Sequence, residues 1–190
     1  MKAYFTASLT GKKDFGANYS LIVKYLSSKM DRVFADHIIK ADAKEIAKKQ
    51  TKKESEEFYR KLLKKLKKVD VVVAEVSYSS LSVGYEISVA LELGKPVVVL
   101  YLADRAPLLL EGNKNDKLLL VEYDEKSLEK VLDKVIEEAR KKADVRFNFF
   151  VSAKILSYLD WVAKTKRIPR SVFLRNLIER QMKRDKDFRG

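Results

Sequence analysis

Short apolar segments alternate with longer amphipathic ones along the first three quarters of the chain. Runs of β-branched and aromatic residues predict five strands, at residues 2–7, 32–35, 71–73, 97–100 and 117–121. Apolar residues at helical spacing predict helices over 18–29, 41–68 (one or two helices), 81–93 and 125–142, with a turn at 8–16 and a loop or short helix at 103–115. Strands that alternate with helices predict an α/β fold, a doubly wound, Rossmann-like parallel sheet of five strands.

The pattern changes after residue 143. Residues 145–151 alternate in side-chain character and predict one strand, and Ser152 is a good N-cap for a helix that ends near residue 166. A second helix is predicted over 170–183. One strand and two helices bury too little surface to be stable alone, and a lone strand leaves its hydrogen bonds unpaired. We therefore expect two domains, 1–143 and 144–190, and a homodimer or higher homo-oligomer held by the second domain.

Composition narrows the classes of function. The chain is 46% hydrophobic with a net charge of +13, and residues 144–190 hold 12 Lys and Arg against 5 Asp and Glu. That basic end is either a nucleic-acid footprint or an aid to solubility. Since there is no cysteine and His37 is the one histidine, we expect no metal or other cofactor. No apolar run approaches the roughly 20 residues that span a bilayer, so we expect a cytoplasmic protein without a membrane partner.

One acidic residue stands out between the third and fourth predicted strands. Glu86 lies near the front of the predicted 81–93 helix, just after the loop that leaves a buried strand. In an open α/β sheet, ligands bind outside the carboxyl ends of the strands, which is where this loop lies. Glu86 is therefore a candidate to act on a ligand. The alternative is an acid that only stabilises the helix by facing the positive end of its dipole.

Three segments of the first domain carry a family resemblance: YFTASLTG at 4–11, ADHI at 35–38, and DVVVAEVSYSSLSVGYE at 70–86 with the GKPVVVL that follows. They resemble the nucleoside 2-deoxyribosyltransferase superfamily, above all its branch of 2′-deoxynucleoside 5′-phosphate N-hydrolases. The resemblance implies that Glu86 is a nucleophile that attacks the anomeric carbon of the sugar, with Tyr4 beside it. It also implies a pocket for a nucleoside or nucleotide, formed by Ser8, Leu9, Thr10, Gly11, His37, Ser80, Ser82 and Gly84, in which Ser80 and Ser82 hold a 5′-phosphate.

The chain departs from the pattern of that family at positions that matter for catalysis. Leu62 stands where the family has an aspartate 24 residues before the nucleophile, and a leucine cannot protonate a leaving base. Thr10 replaces an arginine, and Ser82 replaces the first glycine of the family's G-V-G-Y-E. Three functions therefore stay open: an N-glycosidase or deoxyribosyltransferase with a covalent glycosyl-Glu86 intermediate, a nucleotide-sensing DNA-binding regulator, or an assembly protein.

The second domain resembles a ribbon-helix-helix domain. The matching segments are RFNFFVS at 146–152 and RIPRSVFLRNLIERQM at 167–182. The resemblance implies a two-chain ribbon in the major groove of DNA, with Arg146, Asn148 and Phe150 facing the bases and Arg170 and Ser171 at a phosphate. Arginine and asparagine suit that role because they pair with guanine and adenine through two hydrogen bonds. The alternative is a module that only joins two chains.

Overall fold

The computed structural model describes residues 1–41, 51–143 and 149–187. Contacts divide the chain into two units, Met1–Val145 and Arg146–Gly190. Among the described residues, no helix is both long enough and apolar enough to cross a lipid bilayer.

A single five-stranded sheet organises the first unit. All its neighbours pair in parallel, in the order β2-β1-β3-β4-β5. The strands are β1 (Lys2–Ala7), β2 (Arg32–Phe34), β3 (Val71–Glu75), β4 (Val97–Leu102) and β5 (Leu118–Tyr123). β3 is buried along its whole length, as expected for a parallel strand that is covered on both faces. The predicted α/β fold with five parallel strands is confirmed.

Helices cover both faces of this sheet. They are α1 (Lys12–Lys29), α2 (Asp36–Ile39), α3 (Lys52–Leu66), α4 (Leu81–Glu92), α5 (Leu108–Glu111) and α6 (Leu128–Lys142). One apolar core joins the sheet to α1 and α6, and a second core joins the opposite face to α3 and α4. Because successive side chains of a strand face opposite sides, Phe5 enters the first core and Tyr4 the second.

The start of the first helix differs from the prediction. We predicted a turn over 8–16 and a helix from residue 18, but α1 begins at Lys12 and includes Gly16. The helix starts early because the Ser8 hydroxyl accepts a hydrogen bond from the Gly11 amide, and the Gly11 carbonyl accepts one from Phe15. Phe15 also packs against the first core. These contacts outweigh the weak helix propensity of one glycine.

The long polar segment before β3 is only partly described. Its second half forms α3, which opens with a capping box in which Thr51 and Glu54 bond to each other's backbone amides. Residues 42–50 lie outside the described residues. The short α2 was not predicted, and α5 lies inside the segment for which we predicted a loop or short helix.

The described part of the second unit contains two helices, α7 (Ala153–Lys166) and α8 (Arg170–Met182). Both lie where they were predicted, and the Ser152 hydroxyl caps α7 by accepting a hydrogen bond from the Ile155 amide, 3.4 Å away. Most of the predicted 145–151 strand falls on residues 144–148, outside the described residues. Its remaining part, 149–151, forms no strand, since a strand needs a second strand to bond with and the described part of this unit is helical.

Candidate active site

The strand order creates a crevice beside β1 and β3. The chain leaves β1 toward β2 on one side and leaves β3 toward β4 on the other, so the two connections diverge at the carboxyl ends of these strands. Ligands of doubly wound sheets bind at such a switch point. Tyr4 of β1 and Glu86 of α4 lie on the same face of the sheet, close to this point.

Tyr4, His37 and Glu86 form one hydrogen-bonded chain. The Tyr4 hydroxyl donates to Glu86 Oε2 over 3.1 Å, and His37 Nε2 lies 2.8 Å from the same hydroxyl oxygen. Since the single hydroxyl proton is given to the carboxylate, His37 Nε2 must carry the proton of the second bond. The two rings also stack, with centroids 4.9 Å apart. Three residues that are distant in sequence are thereby fixed relative to one another.

The Glu86 carboxyl is buried at this site. Only 5% of the residue is exposed. Burial raises the pKa of Glu86 above its ordinary value, and the Thr6 and Tyr4 hydroxyls and the Lys65 ammonium oppose that rise. The Thr6 hydroxyl lies near the carboxyl but makes no hydrogen bond of good geometry within the described residues. Because the Glu86 carboxyl is buried and one of its oxygens accepts a hydrogen bond from Tyr4, its position is fixed.

His37 is neutral at physiological pH. Burial and the Lys65 ammonium lower its pKa to about 4, against a smaller opposite effect of Asp36. Burial and the Glu86 carboxylate raise the pKa of Tyr4 well above its ordinary value, so the hydroxyl keeps its proton. The chain of donors that faces Glu86 therefore consists of neutral groups.

The position of His37 depends on the start of α1. Lys12 Nζ donates to the Ile39 carbonyl over 2.8 Å and also to the Ala41 carbonyl. These bonds hold the end of α2, which carries His37, against the first turn of α1. Lys12 therefore helps to position the histidine.

The loop from Ser8 to Gly11 lies against the loop that follows β3. A Cβ at Gly11 would lie 2.5 Å from Tyr78 Cβ, so only glycine fits there. Ser8 is buried and bonded to the Gly11 amide, Leu9 is half-buried and packs on the first core, and Thr10 is exposed. The predicted pocket loop is thus at the carboxyl end of β1, with Thr10 facing solvent.

The first turns of α4 hold the remaining predicted pocket residues. Ser80 caps the helix, and its hydroxyl accepts a hydrogen bond from the Val83 amide over 3.5 Å. Ser82 is exposed, and a Cβ at Gly84 would meet no atom within 4 Å, so the helix surface at Gly84 is open. Glu86 lies in the second turn of α4 rather than the first, and there its carboxyl meets Tyr4. Stabilisation of the helix dipole, which acts within the first turn, does not explain that placement.

Relatives of known name match most of the chain. A Thermofilum pendens protein that carries the name of a 2′-deoxynucleoside 5′-phosphate N-hydrolase is 32% identical over 147 residues, which cover 76% of this chain and 93% of the relative. The 5-hydroxymethyl-dUMP N-hydrolase of Rattus norvegicus is 30% identical over 138 residues, 70% of this chain and 83% of the relative. No family model matches the chain. The chain belongs to the 2′-deoxynucleoside 5′-phosphate N-hydrolase family. An alignment of 147 residues cannot fit within Arg146–Gly190, so it falls mostly on the first unit.

This member of the N-hydrolase family has an apolar residue, Leu62, at the position where the resemblance gives the family an aspartate. Leu62 is buried in the second core, beside Leu66 of the same helix. Two other acids of α3 are bound elsewhere, because Glu54 completes the capping box and Glu57 pairs with Lys61 over 2.7 Å. Within the described residues, no second carboxyl bonds to the Tyr4–His37–Glu86 chain.

The predicted DNA-facing residues are only partly described. Arg146 and Asn148 lie outside the described residues. Phe150 and Ser171 are exposed, and the Arg170 guanidinium pairs with Asp160 of α7.

Sequence patterns did not point to two residues near this chemistry, Thr6 and Lys65, or to Glu75, a buried acid on the opposite face of the sheet. Thr6 lies two positions after Tyr4 on β1 and so shares its face, which the alternation of the strand predicts. Lys65 acts on both His37 and Glu86 from α3, and no local sequence pattern signals that. Glu75 is a fully buried acid at the end of β3, where one carboxylate oxygen accepts bonds from Ser77 and Tyr123. An acid that ends an apolar strand is a signal that could have found Glu75.

Proposed function

We propose that this protein hydrolyses the N-glycosidic bond of a 2′-deoxynucleoside 5′-monophosphate, with Glu86 as the nucleophile. The observation that carries the proposal is the buried Glu86 carboxylate, hydrogen-bonded by Tyr4 at the switch point of a family fold. The names of the relatives supply the substrate class, since the rat protein is named for 5-hydroxymethyl-dUMP.

The proposed reaction has two steps. A Glu86 oxygen attacks C1′ of the sugar, the C1′–N bond breaks, and its electron pair leaves with the base. Water then attacks C1′, the ester bond to Glu86 breaks, and 2-deoxyribose 5-phosphate is released with the carboxylate regenerated. Both steps pass through a sugar with positive charge at C1′, which a carboxylate stabilises.

Tyr4 and His37 have different roles in this reaction. Tyr4 orients the Glu86 carboxylate, and His37 stays uncharged beside it. The Tyr4 hydroxyl bonds to one oxygen of Glu86, which leaves the other oxygen for the sugar. A histidine with a pKa of about 4 brings no positive charge that would oppose charge at C1′. It also donates no proton at neutral pH, and since Leu62 is apolar, we propose that the leaving base takes its proton from water.

The 5′-phosphate belongs, on this proposal, at the loop ends that surround Glu86. Backbone amides at the start of a helix favour an anion, and Ser80 and Ser82 lie at the start of α4. The Ser8–Gly11 loop, with Leu9 and Thr10, would close over the nucleotide. Gly84, on the open surface of the same helix, completes the set of proposed pocket residues.

Release of free base is the direct test. The protein is incubated with 5-hydroxymethyl-dUMP and with each common deoxynucleoside 5′-monophosphate, and the base is measured by chromatography. Glu86→Gln should lower the rate by about 10³-fold, because it removes a group used only in the chemical step. Glu92→Gln, an exposed position on the same helix, is the matched control and should keep the wild-type rate.

A covalent intermediate gives a second readout. In added methanol, a glycosyl-Glu86 ester should partition between water and alcohol and yield methyl 2-deoxyriboside 5-phosphate alongside the free sugar. If wild-type protein releases no base from any of these nucleotides, or if Glu86→Gln releases it as fast, the proposal is wrong.

We also propose that the second unit is a ribbon-helix-helix module that joins two chains and contacts DNA through Arg146, Asn148 and Phe150, with Arg170 and Ser171 at a phosphate. Two helices at the predicted positions and their exposed apolar side chains support the pairing. Joined to a nucleotide-binding first unit, such a module would make the protein a regulator. A duplex mobility shift that Arg146→Ala weakens at low salt would support DNA contact, and no shift at low salt would exclude it.

A further inference from the structure

A basic groove lies between α3 and the edge strand β2. Its cavity measures about 610 Å³, and the described residues that line it are six cationic residues and one aromatic residue: Lys2, Arg32, Phe34, Lys61, Lys64, Lys65 and Lys68. Neither Glu86 nor Tyr4 nor His37 lines it. The groove is therefore a feature that the hydrolase proposal does not use.

Helical spacing gathers the lysines on one side of the groove. Lys64 and Lys65 each lie three or four positions from both Lys61 and Lys68, so the four lysines lie along one side of α3 and the turn that follows it. At 1.5 Å per residue this stripe is about 10 Å long. Lys2 and Arg32, which begin β1 and β2, face it from the sheet side.

Acidic residues within the described ranges compensate little of this charge. Lys61 pairs with Glu57, and Asp70 accepts a hydrogen bond from the Lys2 backbone amide. For Arg32, Lys64 and Lys68, the structure gives no ion pair with any residue of the described ranges, and the Arg32 guanidinium lies 4.6 Å from the centre of the Phe34 ring. Like charges placed this close repel, so the groove costs stability unless an anion fills it.

We propose that this groove binds the backbone of single-stranded nucleic acid. A stripe of about 10 Å is longer than a single phosphate group, so it faces more than one phosphate of an extended strand. A concave groove with lysines along it and an aromatic side chain within it is the usual arrangement for a single strand. The Phe34 ring in the groove suits a single strand, because unpaired bases expose the faces that stack on an aromatic side chain. Phe34, which lines the groove, is the strand partner of Tyr4, so the groove lies next to the candidate active site.

Titration of a fluorescent 12-nucleotide oligo-dT against the full-length protein tests this inference. The test variant is Lys64→Gln/Lys68→Gln, and the matched control is Lys13→Gln/Lys24→Gln, which removes the same charge from exposed positions of α1. The test variant should bind about tenfold more weakly, because two charge-assisted contacts are lost. Its plot of log affinity against log salt should be less steep by about 1.4, which is 0.7 for each lost phosphate contact.

The remaining measurements separate this inference from its alternatives. Lys64→Arg/Lys68→Arg should restore binding, because it restores the charge. The inference is wrong if both double glutamine variants bind oligo-dT equally, or if a 12-residue poly-glutamate peptide binds as tightly and is weakened equally. It is also wrong if Lys64→Gln/Lys68→Gln binds inorganic pyrophosphate more weakly than the wild type but binds oligo-dT as tightly as the wild type. These are binding measurements, so they hold whether or not the protein hydrolyses nucleotides.

Discussion

At the scale of single residues, burial is the main cause of the pKa shifts of His37 and Glu86, and Lys65 is the cation that affects both. Its ammonium disfavours a proton on His37 and favours the ionised form of Glu86, so it lowers the pKa of both. Replacing it by glutamine should raise both values. His37 is the one histidine in the chain, so its ring gives a single, assignable NMR titration. We expect a pKa of about 4 in the wild type and a higher value in Lys65→Gln.

The same substitution should move the pH dependence of base release. Glu86 must be ionised to attack, so the rate falls as the pH drops through its pKa, and Lys65→Gln should shift that acidic limb to higher pH. Lys64→Gln, one position away, is the control, and it should leave the pKa of His37 unchanged. An unchanged His37 pKa in Lys65→Gln would show that burial alone sets it.

Sequence predicts some residues of this site and misses others for a physical reason. Glu86 and Tyr4 belong to contiguous motifs, so their candidacy follows from a local pattern and a resemblance. Lys65 affects the site through space, from a helix whose lysines look like an ordinary solvated face. The hydrogen bonds from Lys12 to the carbonyls of Ile39 and Ala41 were equally unpredictable, because a flexible side chain meets those partners only in the folded chain.

At the scale of elements, the packing of α3 places position 62, where the family has an aspartate, in the second core. Leu62 faces the second core with 4% of its surface exposed. Leu62→Ala should lower the free energy of unfolding by about 2–5 kcal/mol, the usual cost of a buried leucine. Leu62→Asp should cost at least as much, since it also buries an unpaired carboxyl, and it should not speed base release. Urea denaturation measures the first effect and the base-release assay the second.

An exposed position of the same helix provides the comparison. Arg60→Asp introduces an aspartate on α3 at the surface and should change stability by about 0.5 kcal/mol or less. If Leu62→Asp were as stable as Arg60→Asp and faster than the wild type in base release, position 62 would face the site and not the core.

Elements were predictable where burial dictates the pattern. β3, α4 and β4 follow from apolar runs and a helix stop at Gly94, whose φ of 71° suits glycine. The start of α1 was not predictable, because it depends on the Ser8–Gly11 bond and on the packing of Phe15. α2 is a single turn, too short for any periodicity to indicate it.

At the scale of the whole molecule, the second unit has too little core for its size. Within it, α8 has no buried residue, and α7 buries only Leu159 and Val162. Trp161 and Ile178 are 51% and 59% exposed. Helices of 13 or 14 residues owe most of their stability to packing, and this is the reason that we expect the second unit to pair with another chain.

A charge placed among these exposed apolar side chains tests whether the partner is a second copy. We expect wild-type protein in light scattering at twice the chain mass of 21.9 kDa, and Ile178→Lys at lower mass because a buried lysine without a partner opposes pairing. Asn176→Lys adds the same charge at a polar position of α8 and should keep the wild-type mass. Since Ile178 is exposed in the single chain, its substitution should leave the helices folded, which circular dichroism checks. A wild-type mass for Ile178→Lys would place the pairing surface away from this face of α8, and the second unit would then need another explanation for its exposed apolar side chains.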